Sequence, residues 1–91
     1  MKDHHTYLVI GSGRQGTAAA YDLARWGDAE RVLLADQDLA VARLSARRVN
    51  NLVGREAAFP LQVNAQDAAS LAAAFQGVDA CLSAVPYTFN L

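Results

Sequence analysis

Residues 6–16 constrain this chain more than any other stretch. An unbroken apolar run, T-Y-L-V-I, stops at Gly11 and gives way to G-S-G-R-Q-G, after which a helix-forming sequence begins. The run at 6–10 is β-branched, aromatic and aliphatic without alternation, the pattern of a strand covered on both faces. The sequence T-A-A-A-Y-D-L-A-R-W after Gly16 sets Ala19, Leu23 and Trp26 at helical spacing, and Gly27 is placed to end that helix. A buried strand that turns through glycines into a helix opens a βαβ unit, and its partner strand must then lie parallel.

The rest of the chain repeats the alternation. Residues 31–35, R-V-L-L-A, form a second apolar run that closes on Asp36, and residues 37–50 set Leu39, Ala42, Ala46 and Val49 on one helical face with Arg43 and Arg47 turned away. Arg47 and Arg48 are expected on a solvated face. Residues 59–63 form a third strand, which Pro60 confines to a sheet edge or to a start near itself, because proline lacks a ladder donor. Asp67 is an N-cap for A-A-S-L-A-A-A-F-Q, with Ala68, Leu71, Ala72 and Phe75 as the inward face and Gly77 as the stop. Residues 78–85 form a fourth apolar run that Pro86 ends. Right-handed crossovers arrange such units as an α/β fold of Rossmann type. Its parallel sheet has four strands in the order 3-2-1-4, with three to four helices. Strand four is as apolar as an interior strand yet falls at an edge. The expectation is therefore a partial dinucleotide-binding domain over residues 1–91, truncated relative to the full fold, or a chain whose open strand-four edge pairs with another subunit.

Within G-x-G-x-x-G each glycine has a mechanical reason. Gly11 permits the tight turn, Gly13 lets backbone approach a pyrophosphate, and Gly16 lets the helix pack closely on the strand. Backbone N–H groups around Ser12, Arg14 and Gln15 then face the anion, helped by the positive end of the helix dipole. The Arg14 side chain suits either a phosphate or solvent. Asp36, 20 residues after Gly16, is placed to accept hydrogen bonds from an adenosine ribose. Gln37 and Asp38 follow it with no arginine to balance a 2′-phosphate, so NAD is expected ahead of NADP. Asn64 and Ala65 after strand three border the adenine, and Ala84, Val85 and Pro86 after strand four form the small apolar wall of the cleft. Asp67 is read as a cap. Tyr87 and Phe89 suit the cleft or a further part of the fold equally.

Composition excludes several classes. Eight Lys and Arg against nine Asp and Glu leave a formal charge of −1, so neither nucleic acid nor a membrane surface is an expected partner. With one cysteine, no transmembrane-length apolar run and no apolar signal core, the chain is expected to be cytoplasmic. Cys81, flanked by Ala80, Leu82 and Ala84, is expected to pack in the core as a small hydrophobe. His4 and His5 sit at an end expected to fray, without spaced ligands, so no metal is expected.

Read together, Y-L-V-I-G-S-G-R-Q-G, L-L-A-D-Q-D and the ending C-L-S-A-V-P-Y-T-F-N-L resemble the saccharopine dehydrogenase family, including its lysine 6-dehydrogenase and saccharopine reductase branches. The resemblance spans nearly the whole chain and rests most specifically on residues 83–90. It implies the nucleotide-binding part of an amino-acid oxidoreductase that passes hydride between a nicotinamide cofactor and a carbon bearing an amine. By match of motif, Gly11, Gly13 and Gly16 hold the pyrophosphate, Asp36 the ribose, and residues 84–86 the cleft wall. The family's catalytic residues lie in a later domain, so none is carried over and no turnover is expected from this chain alone. Two other classes use the same glycine turn or acid: a non-catalytic nucleotide-sensing domain of the potassium-transport type, and a methyltransferase domain binding S-adenosylmethionine.

Overall fold

The computed structural model describes residues 5–11, 13–26, 29–64 and 66–83. The elements run β1 (His5–Ile10), α1 (Gly13–Trp26), β2 (Ala29–Asp36), α2 (Leu39–Val53), β3 (Ala58–Gln62), α3 (Ala68–Phe75) and β4 (Ala80–Ser83). The strands form one sheet in the order β3-β2-β1-β4, every neighbouring pair parallel. This is the expected Rossmann order 3-2-1-4, with three helices.

Two unequal cores sandwich the sheet. In β1, consecutive residues point to opposite faces. Val9 joins Ala20 and Ala24 of α1, Ala46 and Val49 of α2, and Val32 and Leu34 of β2 on one face. Leu8 joins Ala35, Val63 and Ala74 of α3 on the other. Both Leu8 and Val9 are fully buried, which is why the run at 6–10 lacks alternation.

Several local expectations are corrected. Helix α1 begins at Gly13 rather than after Gly16, so four residues of the glycine motif form its first turn, where N–H groups need no partner inside the helix. Strand β2 reaches from Ala29 to Asp36, longer than the run at 31–35. Strand β3 starts at Ala58 and carries Pro60 opposite Leu34, at a sheet edge as the proline requires. Helix α2 buries Ala42, Ser45, Ala46 and Val49, while Leu39 is only half-buried. Helix α3 buries Ala74 with Leu71 half-buried, and Ala68, Ala72 and Phe75 face outward. A-A-S-L-A-A-A-F is apolar on nearly every side, so its periodicity cannot choose a face. Strand β4 starts at Ala80 rather than at residue 78, runs to Ser83, the last described residue, and pairs only with β1 among the described strands. Cys81 is exposed there, not packed in a core, because β4 forms an outer strand. His5 belongs to β1, its ring stacked on Tyr7 at 6.1 Å, rather than to a frayed end. His4 and Gly27 lie outside the described residues, as does the side chain of Trp26.

Side chains fix the turns at the N-terminal ends of the strands. Asn50 Oδ1 accepts from the N–H groups of Ala57 and Ala58 at 2.8 and 2.7 Å, while its Nδ2 donates to the Ala58 carbonyl at 3.0 Å. Arg55 donates to the carbonyls of Ala24, Ala29 and Glu30 at 3.2, 3.0 and 3.2 Å. Gly54, at φ 77°, ends α2 in the left-handed region and returns its N–H to the Asn50 carbonyl.

Candidate dinucleotide site

Parallel pairing brings the C-terminal ends of three strands level, with Ile10 opposite both Ala35 and Ser83. The glycine turn and Asp36 therefore emerge side by side, next to the point between β1 and β4 where the strand order reverses. The Gly11 N–H donates to the Ala35 carbonyl at 2.8 Å, which fastens the turn to the end of β2. At φ 89°, Gly11 occupies a backbone region that L side chains rarely adopt.

Gly16 has a different constraint. A Cβ added there would lie 1.9 Å from the Gly11 carbonyl oxygen and 2.9 Å from its carbon. The first turn of α1 is thus closed against the turn that precedes it, and only a residue without a side chain fits. That turn carries no acidic residue, so nothing on the helix neutralises the positive end of its dipole. Arg14 and Gln15 are exposed on it.

Asp36 is the last residue of β2 and is half-buried. Its Oδ1 accepts the Asp38 N–H at 2.9 Å, and Asp38 Oδ1 in turn accepts the Ala40 N–H at 2.9 Å as the cap of α2. The first of these turns orients the Asp36 carboxylate, and the second orients that of Asp38 over the start of α2. Asp36 lies opposite Gln62 in the β2–β3 ladder, and the Asp36 carbonyl accepts the Val63 N–H at 3.0 Å.

Beyond Asp36 lies a cavity of about 500 Å³ lined by Gln37, Gln62, Val63, Asn64, Gln66 and Ser70. Gln62 Nε2 donates to the Gln37 carbonyl at 3.1 Å, and the Asn64 N–H donates to Ser70 Oγ at 3.1 Å. Asn64 Oδ1 accepts the Gln66 N–H at 3.0 Å. Sequence reasoning singled out Gln37 and Asn64 but passed over Gln62, Gln66 and Ser70. The register of Gln62 with Asp36 was the available clue. Asp67 is a cap, its Oδ1 accepting the N–H groups of Ala69 and Ser70. Ser12, Ala65, Ala84, Val85, Pro86, Tyr87 and Phe89 lie outside the described residues.

Reactive groups elsewhere are sparse. Partial burial pushes the Cys81 thiol up from its ordinary range. Among the described residues, no group of three or more His, Cys, Asp and Glu side chains converges as a metal site. No described helix is long and apolar enough to cross a membrane.

Comparison with known proteins agrees with this geometry. The chain is 41% identical over 78 residues to a Koribacter versatilis (strain Ellin345) protein named glycerol-3-phosphate dehydrogenase (NAD(P)+), a match covering 86% of this chain and 23% of that protein. Its structure superposes on quinate dehydrogenase from Corynebacterium glutamicum in complex with NAD, with a TM-score of 0.76 and 26% identity over 94% of this chain and 31% of that one. The chain thus spans less than a third of the length of either relative. Residues 7–91 match the family described as saccharopine dehydrogenase NADP binding domain. A parallel sheet in Rossmann order, a glycine turn closed on a helix start and an acid at the end of β2 are what a nicotinamide dinucleotide domain of a dehydrogenase requires, and by that match this chain belongs to the saccharopine dehydrogenase NADP-binding-domain family.

Proposed function

We propose that this chain binds NAD in preference to NADP, as the nucleotide-binding part of an amino-acid oxidoreductase of the saccharopine dehydrogenase type acting at a carbon that bears an amine. The observation that carries the reading is the Asp36 carboxylate, held beside the glycine turn by the Asp38 N–H. A ribose with free 2′ and 3′ hydroxyls donates to such a carboxylate, whereas a 2′-phosphate sets negative charge against it. Gln37 and Asp38 follow, and the neighbouring cavity is lined by neutral side chains, so no cation there offsets the repulsion. The names of the family and the two relatives include both cofactors, which makes this acid the deciding element.

The cradle suits a diphosphate. Gly11 makes the turn, Gly16 lets α1 close against it, and to the anion we assign the N–H groups of Gly13, Arg14 and Gln15 in the first turn of α1, together with that of Ser12 from outside the described residues. To the same site we assign Asn64 at the adenine edge, together with Ala65, Ala84, Val85 and Pro86 from outside the described residues. The nicotinamide supplies hydride chemistry when bound, and this chain's own residues bind and orient it. Within that reading the part played by this chain is to hold the cofactor. The outer edge of β4 is where the rest of a longer chain or a second copy continues the sheet. That both named relatives are dehydrogenases favours this reading over a nucleotide sensor or a methyltransferase.

Calorimetric titration tests the proposal with NAD, NADP and S-adenosylmethionine. NAD should bind at least tenfold more tightly than NADP, since hydrogen bonds to a charged group contribute about 1.5–3 kcal/mol. Asp36→Ala should remove most of that ratio. NADP binding as tightly as NAD, or tighter binding of S-adenosylmethionine, overturns it.

A further inference from the structure

We infer that two residues, Asn50 and Pro60, close the outer edge of β3 to strand addition, so that a second copy of this chain cannot extend the sheet there. The inference stands apart from the dinucleotide reading, since none of its atoms belongs to the glycine turn or to Asp36.

In a parallel ladder the backbone N–H and C=O of one residue turn to one neighbour and those of the next residue turn to the other side. The Ala57 carbonyl accepts the Val32 N–H at 2.8 Å, and the Val63 N–H donates to the Asp36 carbonyl at 3.0 Å, so both residues face β2. With the register unbroken between them, Phe59 and Leu61 face β2 as well. Ala58, Pro60 and Gln62 therefore turn their backbone groups to the outer edge. A row of open groups at an edge is a template for another strand.

Here the row is interrupted twice. The Ala58 N–H donates to Asn50 Oδ1 at 2.7 Å, and the Ala58 carbonyl accepts from Asn50 Nδ2 at 3.0 Å. One side-chain amide thus makes the two bonds that an antiparallel neighbour exchanges with a residue in a hydrogen-bonded pair. Asn50 is held for this task. It is half-buried in the last turn of α2, its own carbonyl accepts the Gly54 N–H at 2.9 Å, and Oδ1 also accepts the Ala57 N–H at 2.8 Å. Two residues further on, Pro60 has no N–H to offer. An incoming strand meets a filled position, then one without a donor, and reaches a full backbone pair only at Gln62, where β3 ends. Strand β4, A-C-L-S, contains no proline. The closure is one-sided, so pairing of whole chains by their sheet edges stops at two copies.

Sedimentation velocity of the intact protein over a range of concentrations tests this. The parent should show no species beyond a dimer. Pro60→Val restores a donor between Ala58 and Gln62 and should form larger species that grow with concentration, while the Gln62 N–H gains protection from hydrogen exchange. Adding Asn50→Ala should bring those species in at lower concentration. Asp67→Ala, which loosens α3 and leaves the β3 edge as it is, should keep the parent's distribution. A Pro60→Val protein that stays at the dimer or below overturns the inference, as does an Asp67→Ala protein that assembles as far as Pro60→Val. A parent protein that itself extends beyond the dimer with protection at Gln62 overturns it as well.

Discussion

Gly16 is confined to a hydrogen side chain by the carbonyl of Gly11, only 1.9 Å from where a Cβ would sit. Because the obstacle is backbone, Gly16→Ala should push α1 away from the turn. We expect a loss of about 1–3 kcal/mol in denaturant unfolding and a fall of at least tenfold in NAD affinity by titration, through displaced N–H groups. This residue was legible in the sequence, because G-x-G-x-x-G between a strand-like run and a helix-forming run has only one geometry that needs its third glycine. Cys81 was not legible. A-C-L-S-A has the composition of a core strand, and nothing local to it states that β4 lies at the edge of the sheet. Exposed there, with partial burial raising its thiol, Cys81 should be accessible yet slow. Raising the pKa lowers the thiolate fraction at neutral pH, so alkylation by iodoacetamide at pH 7 should be slower than for free cysteine and should climb as pH rises past the ordinary thiol range.

Turns into elements depend on single polar side chains that periodicity does not single out. Asn50 reads in sequence as one more polar residue late in a helix, yet it closes three hydrogen bonds with Ala57 and Ala58 and so sets where β3 begins. Asn50→Ala should strand the Ala58 N–H and carbonyl, while the Ala57 N–H keeps the Arg55 carbonyl at 3.0 Å, and cost about 1–3 kcal/mol in urea unfolding. Asn50→Asp should cost less, since a carboxylate still accepts from both N–H groups. Asp67 is the opposite case. An aspartate before A-A-S-L announces its role, and it caps α3 as expected. Asp67→Ala should cost about 1 kcal/mol by the same measurement. The inward face of α3 escaped the sequence because an eight-residue helix of five alanines, a serine, a leucine and a phenylalanine buries whichever side the sheet presents. The cavity residues Gln62 and Ser70 escaped for a related reason: their importance comes from strand register and helix placement, not from their own neighbours in the chain.

The topology of the whole molecule followed from few features: four apolar runs, three helical patterns, and the handedness of crossovers. What those features could not show is the inequality of the two faces. Helices α1 and α2 cover one side, while α3 covers the other more thinly, with Phe75 of α3 at 45% exposure and Leu82 at 47% on the outer strand β4. The 91-residue chain in isolation should therefore self-associate through that edge, and Leu82→Lys should shift it toward monomer in sedimentation velocity at matched concentration. The opposite end of the sheet behaves differently. One guanidinium, that of Arg55, holds the last turn of α1 and the first residues of β2 from the segment between α2 and β3. Two crossovers that are distant in sequence are thereby fastened by one side chain, and neither can open without releasing the other. In native-state hydrogen exchange the amides of both should share one opening free energy, and Arg55→Ala should split them into two classes that exchange at different rates.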